Sequence, residues 1–368
     1  MKSVLSERMT FHLHDIEQRE LPHDAASAVR ALASDIRHRL GDTLHTTTLH
    51  DPALLAQIAS RVDELPDAVR DAVRPPATAA GATVVRGLPV DDAEFGPTPP
   101  HWQAAATGAA ATSSLDLDIA MLLLARCAGE PFGWAGQQNG RLVNNIVPAA
   151  GHEDEQSGAS SSTLLSPHTE DAFHAARANL LMLTCLRNRD RVATTVSSVR
   201  QVELTEGDLR TLSVPTVPIL PDVSYGTGFD QPAPALPTVW FDENGSPTLR
   251  YDPAYTPLDD ADPVFAAAYT RLTAELARVC HAPALAPGEI LLLDNDVAVH
   301  GRVPFRARYD GTDRWLKRVN IRLPERRRRA QESSENGYGQ EVIAPFRAST
   351  DRTAERGRTD ERGSVEQP

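Results

Sequence analysis

The sequence predicts a mainly β fold with helical cover (α+β), a β-sandwich or jelly roll carrying a few outer helices. Three observations lead there. From about residue 141 onward the chain falls into short runs rich in Val, Leu, Ile and Thr, bounded by Gly, Pro, Asn or Asp. Helical spacing is concentrated before that point. A single amphipathic helix, Pro263 to Cys280, interrupts the strand-rich part.

In chain order, Val29, Leu32, Ile36 and Leu40 recur at helical spacing. Asp51-Pro52 then supplies an N-cap and a proline at the first helical position, ahead of Leu54, Leu55, Ile58, Val62 and Leu65. Thr83-Val84-Val85 reads as a strand. Residues 93–114, rich in Pro, Gly, Ala and Thr, read as a surface loop. Ser114 to Cys127 is an apolar helix expected to be buried on most sides. The strands expected after it are Arg141–Val147, Leu180–Leu186, Thr194–Val199, Thr238–Phe241, Thr248–Asp252, Glu289–Leu293 and Leu316–Leu323. Between two strand signals, residues 149–166 are small and polar and read as a functional lid. The tail from Glu325, with its run Arg326 to Arg329, reads as a solvated, disordered end. No internal repeat is evident.

Composition excludes several classes. The chain has 368 residues, 41% hydrophobic and 24% charged, so wholesale disorder is not expected. Lys+Arg 37 against Asp+Glu 50 leaves a net charge of −13, which repels phosphate backbones and argues against nucleic acid as a partner. The best apolar run, Ile119 to Cys127, is about half the 18 residues that a membrane span needs, so no membrane partner is expected. The start, MKSVLSERMTFHLHD, places charges where a signal peptide needs its apolar region. Cys127, Cys185 and Cys280 are far apart and set among apolar neighbours, as small core residues of a reduced, cytoplasmic protein.

The chemistry-bearing stretch is Ser166-Pro167-His168-Thr169-Glu170-Asp171-Ala172-Phe173-His174. On a strand, residues i and i+2 share a face, so His168 and Glu170 would point together. A third ligand from a distant strand would complete a two-His-one-carboxylate face, which suits Fe(II) and leaves positions open for a chelating cosubstrate and dioxygen. Alone this is weak, since roughly one or two H-x-[DE] matches arise by chance in such a chain. A second match, His152-Glu153-Asp154, lies in the Gly/Ser-rich loop and is not taken as a metal site. What strengthens the first is Asp294-Asn295-Asp296-Val297-Ala298-Val299-His300-Gly301-Arg302, where His300 would leave a turn on a strand. Downstream, Arg314 could clamp a carboxylate bidentately, and Arg318, on the same strand face, a second one.

With these pieces in place, the chain resembles the clavaminate synthase-like group of Fe(II)/2-oxoglutarate-dependent dioxygenases, and within it the bacterial hydroxylases of free amino acids. The resemblance covers roughly residues 133–323 and is carried by HTEDAFH at 168–174, RVATTVSSVR at 191–200, LRYD at 249–252, DNDVAVHGR at 294–302 and DGTDRWLKR at 310–318. It implies a distorted double-stranded β-helix core, with Fe(II) as metal and 2-oxoglutarate as cosubstrate. It further implies that His168, Glu170 and His300 ligate the iron. Arg314, helped by the Thr194 hydroxyl, would bind the distal carboxylate of 2-oxoglutarate. Arg318 would hold the substrate's α-carboxylate, while Glu170 also accepts its α-amino group. Gln137, or its neighbour Gln138, would line the substrate pocket.

Asp252 matches an acid that meets the far end of the substrate side chain. The second acid of the arginine enzymes is Ala254 here, so lysine or citrulline competes with arginine as substrate. The expected organisation is one domain over 1–323, helical to about residue 130 and jelly roll over about 131–323, followed by a polar tail, 324–368. The expected reaction is hydroxylation of an unactivated Cβ–H or Cγ–H of a free polar or basic L-amino acid, consuming dioxygen and releasing succinate and CO2. Desaturation, further oxidation and a carrier-tethered substrate are the alternatives, ahead of a non-catalytic binding module.

Overall fold

A computed structural model describes residues 16–41, 49–226, 234–241, 245–326 and 328–347. In chain order the elements are β1 (Glu17–Glu20), α1 (His23–Leu40), α2 (Pro52–Arg61), α3 (Asp67–Val73), β2 (Ala82–Arg86), α4 (Trp102–Ala105), α5 (Gly108–Ala128), β3 (Glu130–Trp134), β4 (Asn144–Ile146), β5 (Leu165–His168), β6 (Leu180–Arg187), β7 (Thr194–Ser198), α6 (Glu206–Leu212), β8 (Val239–Phe241), β9 (Pro247–Leu249), α7 (Pro263–Arg278), β10 (Ile290–Asp294), β11 (Ala298–Arg302), β12 (Trp315–Arg322) and β13 (Val342–Ile343). The result is a mixed α+β protein with several sheets. The main sheet runs β1-β2-β10-β6-β12-β3-β13, with β4 also paired to β12. A smaller sheet runs β5-β11-β7, and β8 pairs with β9.

The central strands are continuous apolar runs because both faces of the main sheet are covered. Along β6, Leu180, Met182 and Leu186 join one core cluster, while Leu181, Leu183 and Cys185 join the other. Ile290 and Leu292 of β10 likewise oppose Leu291 and Leu293. This period of two is what a strand imposes on its side chains. The first cluster packs the sheet against α1, α2, α3 and α5, and the second contains the apolar face of α7. Long and apolar enough by composition to cross a membrane, α5 is here the buried centre of the helical layer. Asp51 caps α2 as its sequence implies, its side chain accepting from the Ala53 and Leu54 amides.

Behind the main sheet, α5 and β12 meet through a buried polar group. Lys317 donates to Asp118 and, at 2.8 Å, to the Ser114 hydroxyl. Arg141 Nη2 lies 3.5 Å from the other Asp118 oxygen. Burial pulls the Lys317 ammonium down to about 8, against the opposing pull of Asp118.

Two expectations are corrected. Residues 93–114 are not a loop throughout: α4 lies inside this range, and α5 begins at Gly108, six residues before the expected start. The Gly and Pro punctuation masks alanine runs of high helix propensity. The tail is not solvated over its whole length. Residues 328–347 pack on the body, with β13 pairing to β3 through Val342 and Trp134. Glu332 accepts from Arg177 at 2.9 Å and from Arg250 at 3.2 Å, and Glu335 accepts from Arg250 at 2.8 Å. Both arginines are 1% exposed, and a buried guanidinium without an acid is costly, so the polar tail meets a demand of the interior. Residues 348–368 lie outside the described residues.

Candidate metal centre and substrate cavity

The smaller sheet assembles the first two site residues. β11 lies between β5 and β7, and its register puts His300 directly opposite His168. The two imidazole centroids are 4.5 Å apart. His168 Nδ1 lies 2.8 Å from the Ser166 carbonyl, which leaves Nε2 facing inward.

Glu170 joins them by a different route from the expected one. β5 ends at His168, so the i, i+2 rule of a strand does not place Glu170. The backbone turns there, with Asp171 in the left-handed region at φ 53°. Asp171 is secured by Trp134 Nε1 at 2.7 Å and Tyr225 OH at 2.5 Å. The outcome is nevertheless convergence. Glu170 Oε2 lies 3.7 Å from His168 Nε2 and 3.5 Å from His300 Nε2. One ligand atom from each residue falls within 4.8 Å of the others. That carboxylate oxygen is buried and has no hydrogen-bond partner, so the donor set fits a divalent cation at their common point. Burial raises the Glu170 carboxyl, but the Arg318 guanidinium and the two imidazoles outweigh it and hold it down at about 2.

The remaining expected residues surround the same point. His168, Glu170, His300, Thr194, Arg314, Arg318, Gln137 and Asp252 all line one cavity of about 480 Å³. Arg314 Nη2 donates to Thr194 Oγ1 at 2.9 Å. Among the described residues no carboxylate pairs with Arg314, and burial pulls its guanidinium down to about 10. Arg318 donates to Glu170 Oε1 and, at 2.7 Å, to Gln137 Oε1. Gln138 also lines the cavity, with its amide bonded to both backbone groups of Asn145 at 2.8 Å, whereas Gln137 is the one that bonds Arg318. Asp252 accepts from the Ala254 amide at 3.1 Å in its own turn and also faces the cavity, where burial pushes its carboxyl up to about 7.

Sequence reasoning missed Asp222. It lines the cavity and adds its charge to the upward shift of Asp252. It stands in a segment without hydrophobic periodicity, so no pattern singles it out. The loop 149–166 contributes His152, Glu155, Gln156 and Gly158 to the wall. It is closed on itself by Ala149 N–H to Ala159 O at 2.9 Å. Arg302, two residues beyond His300, pins its base by donating to the carbonyls of Ser160 and, at 2.9 Å, Thr163. His152 of the second H-x-E match pairs with Glu155 at 2.8 Å.

The chain is similar to proteins of known activity and structure. The chain is 35% identical over 340 residues to the enduracididine beta-hydroxylase of Streptomyces hygroscopicus, spanning 85% of this chain and 94% of that protein. It is 36% identical to the L-ornithine/L-arginine 3-hydroxylase of Catenulispora acidiphila, over 65% of this chain and 75% of that protein. Among solved structures, the non-heme iron oxygenase OrfP in complex with Fe and alpha-ketoglutaric acid superposes with a TM-score of 0.70 at 36% identity, spanning 83% of this chain and 94% of that one. An asparagine oxygenase in complex with Fe(II), 3-hydroxyasparagine and succinate gives 0.71 at 32%, spanning 83% and 93%. Residues 55–320, a span that includes His168, His300, Arg314 and Arg318, match the family described as taurine catabolism dioxygenase TauD, TfdA, and the chain belongs to that family.

Proposed function

We propose that the protein is an Fe(II)- and 2-oxoglutarate-dependent dioxygenase that hydroxylates an unactivated C–H bond in the side chain of a free basic L-amino acid. The observation that carries this reading is the pairing of Arg318 with Glu170 beside the two histidines. A guanidinium and a carboxylate side by side are complementary to the α-carboxylate and α-ammonium of an amino acid, which would exchange partners with them on binding. His168, Glu170 and His300 hold the iron, and Arg314 with Thr194 holds the distal carboxylate of 2-oxoglutarate. When bound, Fe(II), 2-oxoglutarate and dioxygen supply the oxidant for the C–H bond, with succinate and CO2 as co-products.

The protein's own part is geometric. Arg318, Glu170 and Gln137 fix the substrate's α-carbon, so the length of the side chain decides which carbon faces the metal. The 149–166 loop covers the cavity and keeps water from it. Asp222 lines the same cavity as Asp252 and adds to the negative charge around it, which would offset the alanine at position 254. Two acids there favour a cationic tip over the neutral ureido group of citrulline. The relatives named for enduracididine and for ornithine/arginine support the same class.

The β5-β11-β7 sheet facing the main sheet forms the distorted double-stranded β-helix of a single domain that takes in the helical layer. The three free cysteines, with thiols pushed up by burial to about 11 or 12, suit a reducing, cytoplasmic setting.

The test mixes protein, Fe(II) and 2-oxoglutarate anaerobically with lysine, arginine, ornithine, enduracididine, citrulline, asparagine or glutamine, then admits air. Succinate and a product heavier by one oxygen are expected with a basic member of the panel. Loss of two hydrogens in the product would favour a desaturase, and no succinate with any member would reject the reading. Arg314→Ala is expected to raise the KM for 2-oxoglutarate by roughly 10- to 100-fold, the worth of a lost charged hydrogen bond, with the amino-acid KM little changed. Steady-state kinetics with each substrate varied in turn measures this, and an equal rise in both constants would reject the clamp role.

A further inference from the structure

Glu170 lies in a turn, where no ladder of strand hydrogen bonds holds its backbone, yet its carboxylate must point at one place. The structure provides a brace from the far end of the sequence. Asn295 is fully buried in the turn between β10 and β11. Its Oδ1 accepts from the Glu170 amide at 2.8 Å, and its Nδ2 donates to the Glu170 carbonyl at 3.1 Å and to the Ala178 carbonyl at 2.9 Å. One side-chain amide thus closes on both backbone groups of a residue 125 positions earlier.

The brace is itself immobilised. The Asn295 amide donates to the Asn179 carbonyl at 2.9 Å. On either side, Asp294 accepts from Arg326 at 2.6 Å and Asp296 accepts from Asn179 Nδ2 at 2.9 Å. The same turn leads into β11, which delivers His300. His300 is held opposite His168 by its own ladder, so Glu170 is the ligand whose place depends on the turn.

We propose that Asn295 is a positioning residue for the metal-binding carboxylate: it fixes the backbone of Glu170 so that Oε2 faces the two imidazoles. It makes no contact with substrate or metal and acts through Glu170. The inference rests on the reading that His168, Glu170 and His300 hold a metal ion, and on no claim about the amino-acid substrate. Outer partners that orient a metal ligand are typically worth about 10- to 100-fold in metal affinity.

The test is a double-mutant cycle on Co(II) affinity, measured by calorimetry on the full-length protein without either substrate. Asn295→Ala is expected to weaken Co(II) binding about 10- to 100-fold in the wild-type background. In the Glu170→Ala background it is expected to change Co(II) binding by less than about threefold, because the group it orients is gone. A merely structural role would give equal losses in both backgrounds, and that result overturns the proposal. So does unchanged affinity in the single variant. Should Asn295→Ala fail to unfold cooperatively in urea, Asn295→Ser, whose hydroxyl can keep one bond to Glu170, takes its place in the cycle and is read the same way. A wild-type protein that binds no Co(II) overturns the metal reading itself and is thereby told apart from failure of the brace.

Discussion

His300→Ala is expected to abolish hydroxylation, lowering product formation by more than about 1,000-fold. Loss of a group that merely orients a ligand typically costs about 10- to 100-fold, and loss of the ligand itself should exceed that. His300 has no substitute: among the described residues, the only group of three metal-ligating side chains is His168, Glu170 and His300. Its loss leaves one imidazole and one carboxylate, too few to hold Fe(II) firmly while keeping positions open for cosubstrate and dioxygen. The fold should persist, because the β11 ladders to β5 and β7 run through backbone groups. The measurement pairs Fe(II) binding with succinate release under single-turnover conditions. A His300→Ala protein that keeps a tenth of wild-type turnover would remove His300 from the metal site.

The second large effect lies in the core. Asp118→Leu is expected to destabilise the protein by about 3–5 kcal/mol, the usual cost of removing one partner of a buried ion pair. Lys317 and Asp118 are both at most 1% exposed, and among the described residues no other acid pairs with Lys317. The substitution would strand an ammonium between α5 and the main sheet. Replacing both partners, Asp118→Leu with Lys317→Met, should recover only part of the loss, since the apolar pair removes the stranded ammonium while Arg141 still loses its contact with Asp118. Urea unfolding of wild type and the two variants measures this. A single variant as stable as wild type would mean that water or another group satisfies Lys317. Lys317 alternates along β12 with the cavity residues Leu316 and Arg318, so poor packing behind the sheet should also disturb the substrate side.

How far the sequence speaks depends on how local the cause is. The strands of the main sheet are legible because apolar runs such as LLMLTCLR can only be buried, and Asp51-Pro52 announces its helix through neighbouring atoms. His168, Glu170, His300, Arg314 and Arg318 are legible as a set because metal and carboxylate chemistry demands those residue types. The geometry joining them is not. A strand rule would place Glu170, and it is held instead by a side chain whose partner no local pattern reveals. Asp222 escapes notice for the same reason, since only the folded protein brings it beside Asp252. Residues 93–114 mislead where two local rules conflict, Gly and Pro signalling a loop while alanines favour helix. The tail misleads because its charge looks like a reason for solvation, when buried arginines 155 and 82 positions away bind its acid at Glu332.

The order in which the sheet is threaded has a consequence for biosynthesis. β12 is the strand that bonds β6, β3 and β4 together, and it is synthesised after every other strand except β13. The arginine at position 326 that ties down Asp294, and β13 that closes the edge of β3, emerge later still. A nascent polypeptide on the ribosome therefore carries His168 and Glu170 well before His300 is made. β12 also brings Arg318 to Glu170, so the charged partner of that carboxylate is made after all three of the metal-binding side chains. Premature termination between β11 and β12 would yield a protein with His168, Glu170 and His300 present and both Arg314 and Arg318 missing.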